Sequence, residues 1–118
     1  RVALDSNYSG GRGVILEGRG VGDFVSFTVS VAQAGSYRVQ VRIKRLGNRA
    51  IWQCDINGAD QGPAVDGFSS AASFPEVDLG TVTFGTAGNK TFRFRVTGRN
   101  PASSSFWIAV DYIKLTPQ

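Results

Sequence analysis

The chain has 118 residues, 42% apolar and 19% charged, with 15 glycines, a length and composition that fit one packed globular domain over 1–118 rather than a disordered or collagen-like chain. It contains no histidine and one cysteine, which removes the usual neutral-pH general base, the Ser-His and Cys-His nucleophile pairs, nearly all catalytic zinc sites and any internal disulfide. Thirteen basic against nine acidic residues give a formal charge of +4, and most of the basic residues are arginine, whose planar fork suits carboxylate, sulfate or phosphate.

Taken in chain order, the dominant hydrophobic period is two. After a short candidate at Val14–Glu17, Val25, Phe27, Val29 and Val31 alternate with Ser26, Thr28 and Ser30. Tyr37, Val39, Val41 and Ile43 alternate with Arg38, Gln40, Arg42 and Lys44, and Ala50, Trp52, Cys54 and Ile56 repeat the pattern before the turn dipeptide Asn57-Gly58. Val77–Leu79 and Thr81–Phe84 follow. Phe92, Phe94 and Val96 then alternate with Arg93, Arg95 and Thr97, and Phe106–Leu115 closes the series. No long stretch has a helical period, so the pattern predicts an all-β fold, a two-sheet antiparallel β-sandwich or jelly roll.

Two loops exceed what hairpins need: one from about Asn57 to Glu76, with Asp66, Phe68 and Phe74, and one over Gly98–Ser105 with Arg99 and Asn100. Long loops on a rigid sandwich are where binding groups sit. No apolar run is long enough for a membrane span, no secretory hydrophobic segment is visible, and the chain begins at Arg1, as a mature or excised module would.

Hydrolysis of glycosides needs two carboxylates across one cleft. Asp55, Asp60, Asp66, Glu76 and Asp78 come nearest to a cluster, but in and beside loops, so no enzyme activity is expected. Gly18, Gly20 and Gly22 precede a strand instead of opening a helix, which excludes the common phosphate-binding loops. Cys54 and Trp52 have the parity of core residues. Trp107 stands beside the second loop, where an aromatic face next to Arg99, Asn100 and Ser103–Ser105 has the makings of a sugar site. Asp111 shares parity with Ile113 and Leu115, which predicts a carboxylate on or near the buried side. There it needs backbone amides, an arginine or a hard cation such as calcium. The opposite parity of Ile108, Val110 and Tyr112 is also apolar, so the strand is either covered on both faces or bulged. Arg38, Arg42 and Lys44 share one outward strand face, and Arg93 and Arg95 another; if these strands are neighbours they form a cationic patch for an acidic polysaccharide. Without interleaved aromatics that patch is no nucleic-acid platform.

Five landmarks in order, Gly22-Asp23-Phe24-Val25-Ser26-Phe27, Ala34-Gly35-Ser36-Tyr37-Arg38-Val39, Asp55-Ile56-Asn57-Gly58, Ala87-Gly88-Asn89-Lys90-Thr91-Phe92 and Val110-Asp111-Tyr112-Ile113-Lys114-Leu115, resemble the galactose-binding-like jelly rolls of carbohydrate-binding module families 6 and 35. Gly62-Pro63-Ala64-Val65-Asp66, Asp78-Leu79-Gly80 and Gly98-Arg99-Asn100-Pro101 look like accessory modules of large secreted glycoside hydrolases. The resemblance implies a non-catalytic module that targets a secreted parent enzyme to polysaccharide, or a structural module packing on a catalytic domain. It also implies a structural calcium held partly by Asp111. The further ligands of that family, a Glu-x-Glu pair in the opening strand, have no counterpart; Asp5 and Glu17 are the only acids before Asp23. The implied sugar site lies in the loops at one end, with Asn100, Trp107, Phe68, Phe74 and Asp66 as its candidates and Tyr8 as a further aromatic.

Overall fold

The computed structural model describes all residues, 1–118, as two facing antiparallel sheets. In chain order the strands are β1 (Val2–Leu4), β2 (Arg12–Leu16), β3 (Phe24–Val31), β4 (Gly35–Ile43), β5 (Ile51–Ile56), β6 (Ala59–Asp60), β7 (Val65–Asp66), β8 (Glu76–Phe84), β9 (Gly88–Gly98) and β10 (Ile108–Pro117). The first sheet runs β1-β2-β10-β4-β8 and the second β3-β9-β5-β6, with β7 also paired to β5. This is the expected sandwich.

The period-two pattern sets what faces inward. Val39, Val41 and Ile43 of the first sheet meet Trp52, Cys54, Phe92, Phe94 and Val96 of the second in one continuous core. Trp52 and Phe27 both meet the Phe94 ring nearly edge-on, at 5.2 and 5.8 Å between centroids. Full burial of each such aliphatic or aromatic side chain contributes about 1.5–3 kcal/mol, which makes this layer the principal source of stability. Burial pushes the Cys54 thiol up to about 12, so it is an inert core group.

Three departures from the sequence reading matter. Val77–Leu79 and Thr81–Phe84 are one strand, β8, interrupted by a register shift against β4 where Gly80 adopts φ +81°. A bulge in β10 between Val110 and Tyr112 resets its parity. Val110 and Ile113 both serve the core, while Asp111 turns outward; its predicted place on the inward face is corrected. Finally, β4 and β9 lie in different sheets, so Arg38 and Arg42 cannot form one patch with Arg93 and Arg95. The sandwich separates them onto opposite faces.

Candidate functional site

Asp111 is enclosed although it faces outward. A second, smaller apolar cluster of Ala3, Tyr8, Ile15 and Ala109, with Phe74 and Trp107 packed on it, covers the outer face of the first sheet there. The carboxylate accepts the Ser9 N–H at 3.0 Å on both oxygens and Arg42 Nη1 at 2.7 Å, and its side chain has no exposed area. The same Arg42 nitrogen donates to the Asn7 carbonyl at 2.8 Å, and Lys44 Nζ donates to Asp5 at 2.9 Å. The β1–β2 connection is thereby pinned to the sheet by two cations.

These donors do not fit a calcium ion. The oxygens a hard cation would draw on are those of Asp111, Asp5 and Asn7, and each is engaged by an arginine or lysine nitrogen. No group of three acidic, histidine or cysteine residues gathers anywhere that could hold a metal. Of the partners that the sequence left open for Asp111, the chain itself supplies two, a backbone amide and an arginine.

Phe74 and Trp107 belong to this covered face. Phe74 meets Tyr8 edge-on at 5.3 Å, with Arg42 and Lys44 at 5.2 and 5.4 Å from its ring, and Arg1 stands 5.7 Å from the Trp107 ring. Cations therefore flank both aromatic faces. Inside the cluster Arg49 is nearly fully buried with no carboxylate; it donates to the Lys44 carbonyl at 3.1 Å and sits beside the Tyr8 hydroxyl. Loss of solvent holds its guanidinium below its ordinary range, and burial raises the Tyr8 phenol.

Asp66, Phe68 and Asn100 come together separately. Ile51 of β5 lies between Asp66 of β7 and Gly98 of β9, which brings the ends of both long loops to one end of the sandwich. Asn100 Nδ2 donates to Asp66 at 2.9 Å, and the Phe68 N–H donates to the other Asp66 oxygen at 2.9 Å. Backbone bonds close the cluster: Leu46 N–H to the Gly67 carbonyl at 3.3 Å, Ser69 N–H to that of Leu46 at 3.2 Å, and Ser104 N–H to that of Gly47 at 2.9 Å. The result is a rigid loop platform with an exposed carboxylate, a carboxamide and a half-buried aromatic ring.

Of the remaining acids, all but Asp23 are engaged by cations. Asp55 is buried beneath Arg93 and Arg95, at 2.8 and 2.9 Å, and Arg95 also reaches Asp60. Glu76 takes Lys114 at 3.0 Å and Asp78 takes Arg38. The five acids that came nearest to a catalytic cluster are thus divided between the two sheets, Glu76 and Asp78 on β8 of the first and Asp55, Asp60 and Asp66 on β5, β6 and β7 of the second. A cleft of about 330 Å3 lies at the other end, between the β3–β4 turn and the end of β10, lined mainly by Val31, Tyr37, Leu115 and Pro117. It offers few groups to a polyhydroxylated ligand.

No protein-family model and no curated protein matches the chain. Among solved structures it is 34% identical to part of a Paenibacillus xanthan lyase, with a TM-score of 0.94 over 100% of this chain. The chain spans only 11% of that lyase. A family 35 carbohydrate-binding module from Clostridium thermocellum is 26% identical with a TM-score of 0.58, over 98% of this chain and 86% of its own. A family 36 carbohydrate-binding module in complex with calcium and xylotriose shares the fold at 18% identity and a TM-score of 0.57, over 98% of this chain and 88% of its own. The chain has the jelly-roll fold of these modules and resembles them over nearly its whole length.

Proposed function

We propose that this domain is a non-catalytic carbohydrate-binding module that holds a secreted parent protein on polysaccharide through the loop end at Asp66, Phe68 and Asn100. The observation that carries the reading is the exposed Asp66–Asn100 pair on a fold shared with carbohydrate-binding modules. Asp66 accepts from sugar hydroxyls, the free Asn100 N–H donates, and the half-buried Phe68 ring offers a surface to a pyranose C–H face. A small exposed site of this kind binds in the micromolar to millimolar range. The similarity to a segment of a xanthan lyase supports xanthan as the first polymer to test.

Affinity gel electrophoresis on xanthan, xylan and mannan tests it. Retardation on at least one, weakened at least roughly tenfold by N100A with unchanged melting, is the expected result. No retardation on any of them overturns the reading. A structural module packed on its parent protein is the second reading, favoured by Val2 and Leu4, which are 59% and 80% exposed on edge strand β1. V2S/L4S leaves glycan retardation unchanged on the first reading, and is expected to disturb only the parent assembly on the second.

A further inference from the structure

Most of the charge in this chain cancels internally. Arg1, Arg38, Arg42, Lys44, Arg93, Arg95 and Lys114 pair with Glu17, Asp78, Asp111, Asp5, Asp55, Asp60 and Glu76. The cations left without a carboxylate are Arg12, Arg19, Arg45, Arg49, Lys90 and Arg99, against Asp23 and Asp66, and these carry the whole formal +4.

Their placement is uneven. Lys90 is buried at the far end of β9, 5.3 Å from the Phe84 ring, Arg49 is buried, and Arg12 opens β2. Arg19, Arg45 and Arg99 belong to the loops at the Asp66–Asn100 end. Arg99 is exposed, with its guanidinium 5.2 Å from the Phe106 ring. Gly18 packs so tightly on the Phe106 backbone that a Cβ there would stand 2.2 Å from its carbonyl oxygen. The exposed Arg19 follows directly in the chain, so the β2–β3 loop that carries it and the Arg99 guanidinium of the β9–β10 loop both approach Phe106. Arg45, in the β4–β5 loop and bridged to Ser73, is a further cation without a carboxylate, and its Nε is buried without a partner. Asp23 accepts the Arg19 N–H at 2.8 Å rather than its guanidinium.

We infer that Arg19 and Arg99 make this loop end select carboxylate-bearing polysaccharide over neutral polysaccharide. The inference rests on the loop end being the glycan site and names the class of ligand that it takes. An arginine already bound to a carboxylate has to exchange one partner for another to meet a ligand, whereas an unpaired one gains a charge-assisted, two-pronged contact. The arginines at the middle of the two sheet faces, Arg38, Arg42, Arg93 and Arg95, are all of the first kind. Stacking of Arg99 on Phe106 limits the conformations that it gives up on binding.

The test compares native xanthan with the same polymer after chemical reduction of its carboxylates to alcohols. The domain is expected to bind the native polymer at least roughly tenfold more tightly at low salt, and R19Q/R99Q is expected to remove that preference with melting unchanged. R38Q, which alters only a strand-face pair, is expected to keep it. Equal affinity for the two polymers, or a preference that survives R19Q/R99Q or disappears in R38Q, overturns the inference while the loop end stands as a glycan site. Failure to bind either polymer overturns the inference together with the proposal that this end binds xanthan.

Discussion

The Asp111 carboxylate has no exposed side-chain area and depends on Arg42 for its countercharge. Removing the arginine leaves a buried anion with one amide partner, a change that costs about 3–5 kcal/mol. R42M is therefore expected to lower the melting temperature strongly, by differential scanning calorimetry, whereas excess chelator is expected to leave the wild-type transition where it is. A chelator-induced drop would mean that a metal contributes after all. Cys54 supports a second residue-scale prediction. With its thiol pushed up to about 12 and no exposed surface, it is expected to ignore a thiol reagent in the native protein and to react fully once unfolded. Reaction at the same rate in both states would contradict the core packing.

At the scale of elements, the long alternating strands β3, β4, β5 and β9 were legible because each presents one apolar and one polar face. The short β1, β6 and β7 were not, since two or three residues cannot display a period. Gly80 read as a break between strands because glycine commonly ends them; here its positive φ accommodates a bulge within one. The bulge at Asp111 hid that residue's true face in the same way. Of the predicted site, Asp66, Phe68 and Asn100 were identified and do meet, while Trp107 and Phe74 became part of the Tyr8 cluster. The sequence could name Arg42 as a basic outward residue but could not pair it with a carboxylate 69 positions away. Sheet order decides such partners, and it also put β4 and β9 on opposite faces. Gly18 offers an element-scale test: G18V must push the Phe106 carbonyl aside, and a loss of about 1–3 kcal/mol in a denaturant titration is expected. An unchanged midpoint would mean that the two loops are not in contact.

Across the whole molecule, ion pairs on the first sheet tie stability to acid. Asp5 is held below the usual carboxylate range by the Asn7 amide and Lys44, Glu76 by Tyr112 and Lys114, and Asp78 by the Gly80 amide and Arg38. Because these folded-state values lie below the unfolded ones, their contribution is fully present above the ordinary carboxylate range near pH 4 and is lost as pH falls through the depressed values. Thermal melts are expected to be flat with respect to these groups from pH 6 to 8 and to weaken below about pH 4. No loss in that acid window would show that the pairs are ornamental to folding. The neutralised faces have one further effect. A body whose flanks are electrically quiet and whose unpaired arginines gather toward one end has a charge asymmetry along its length. Near a polyanion it would be turned in solution before touching, so that added salt slows capture more than it hastens release.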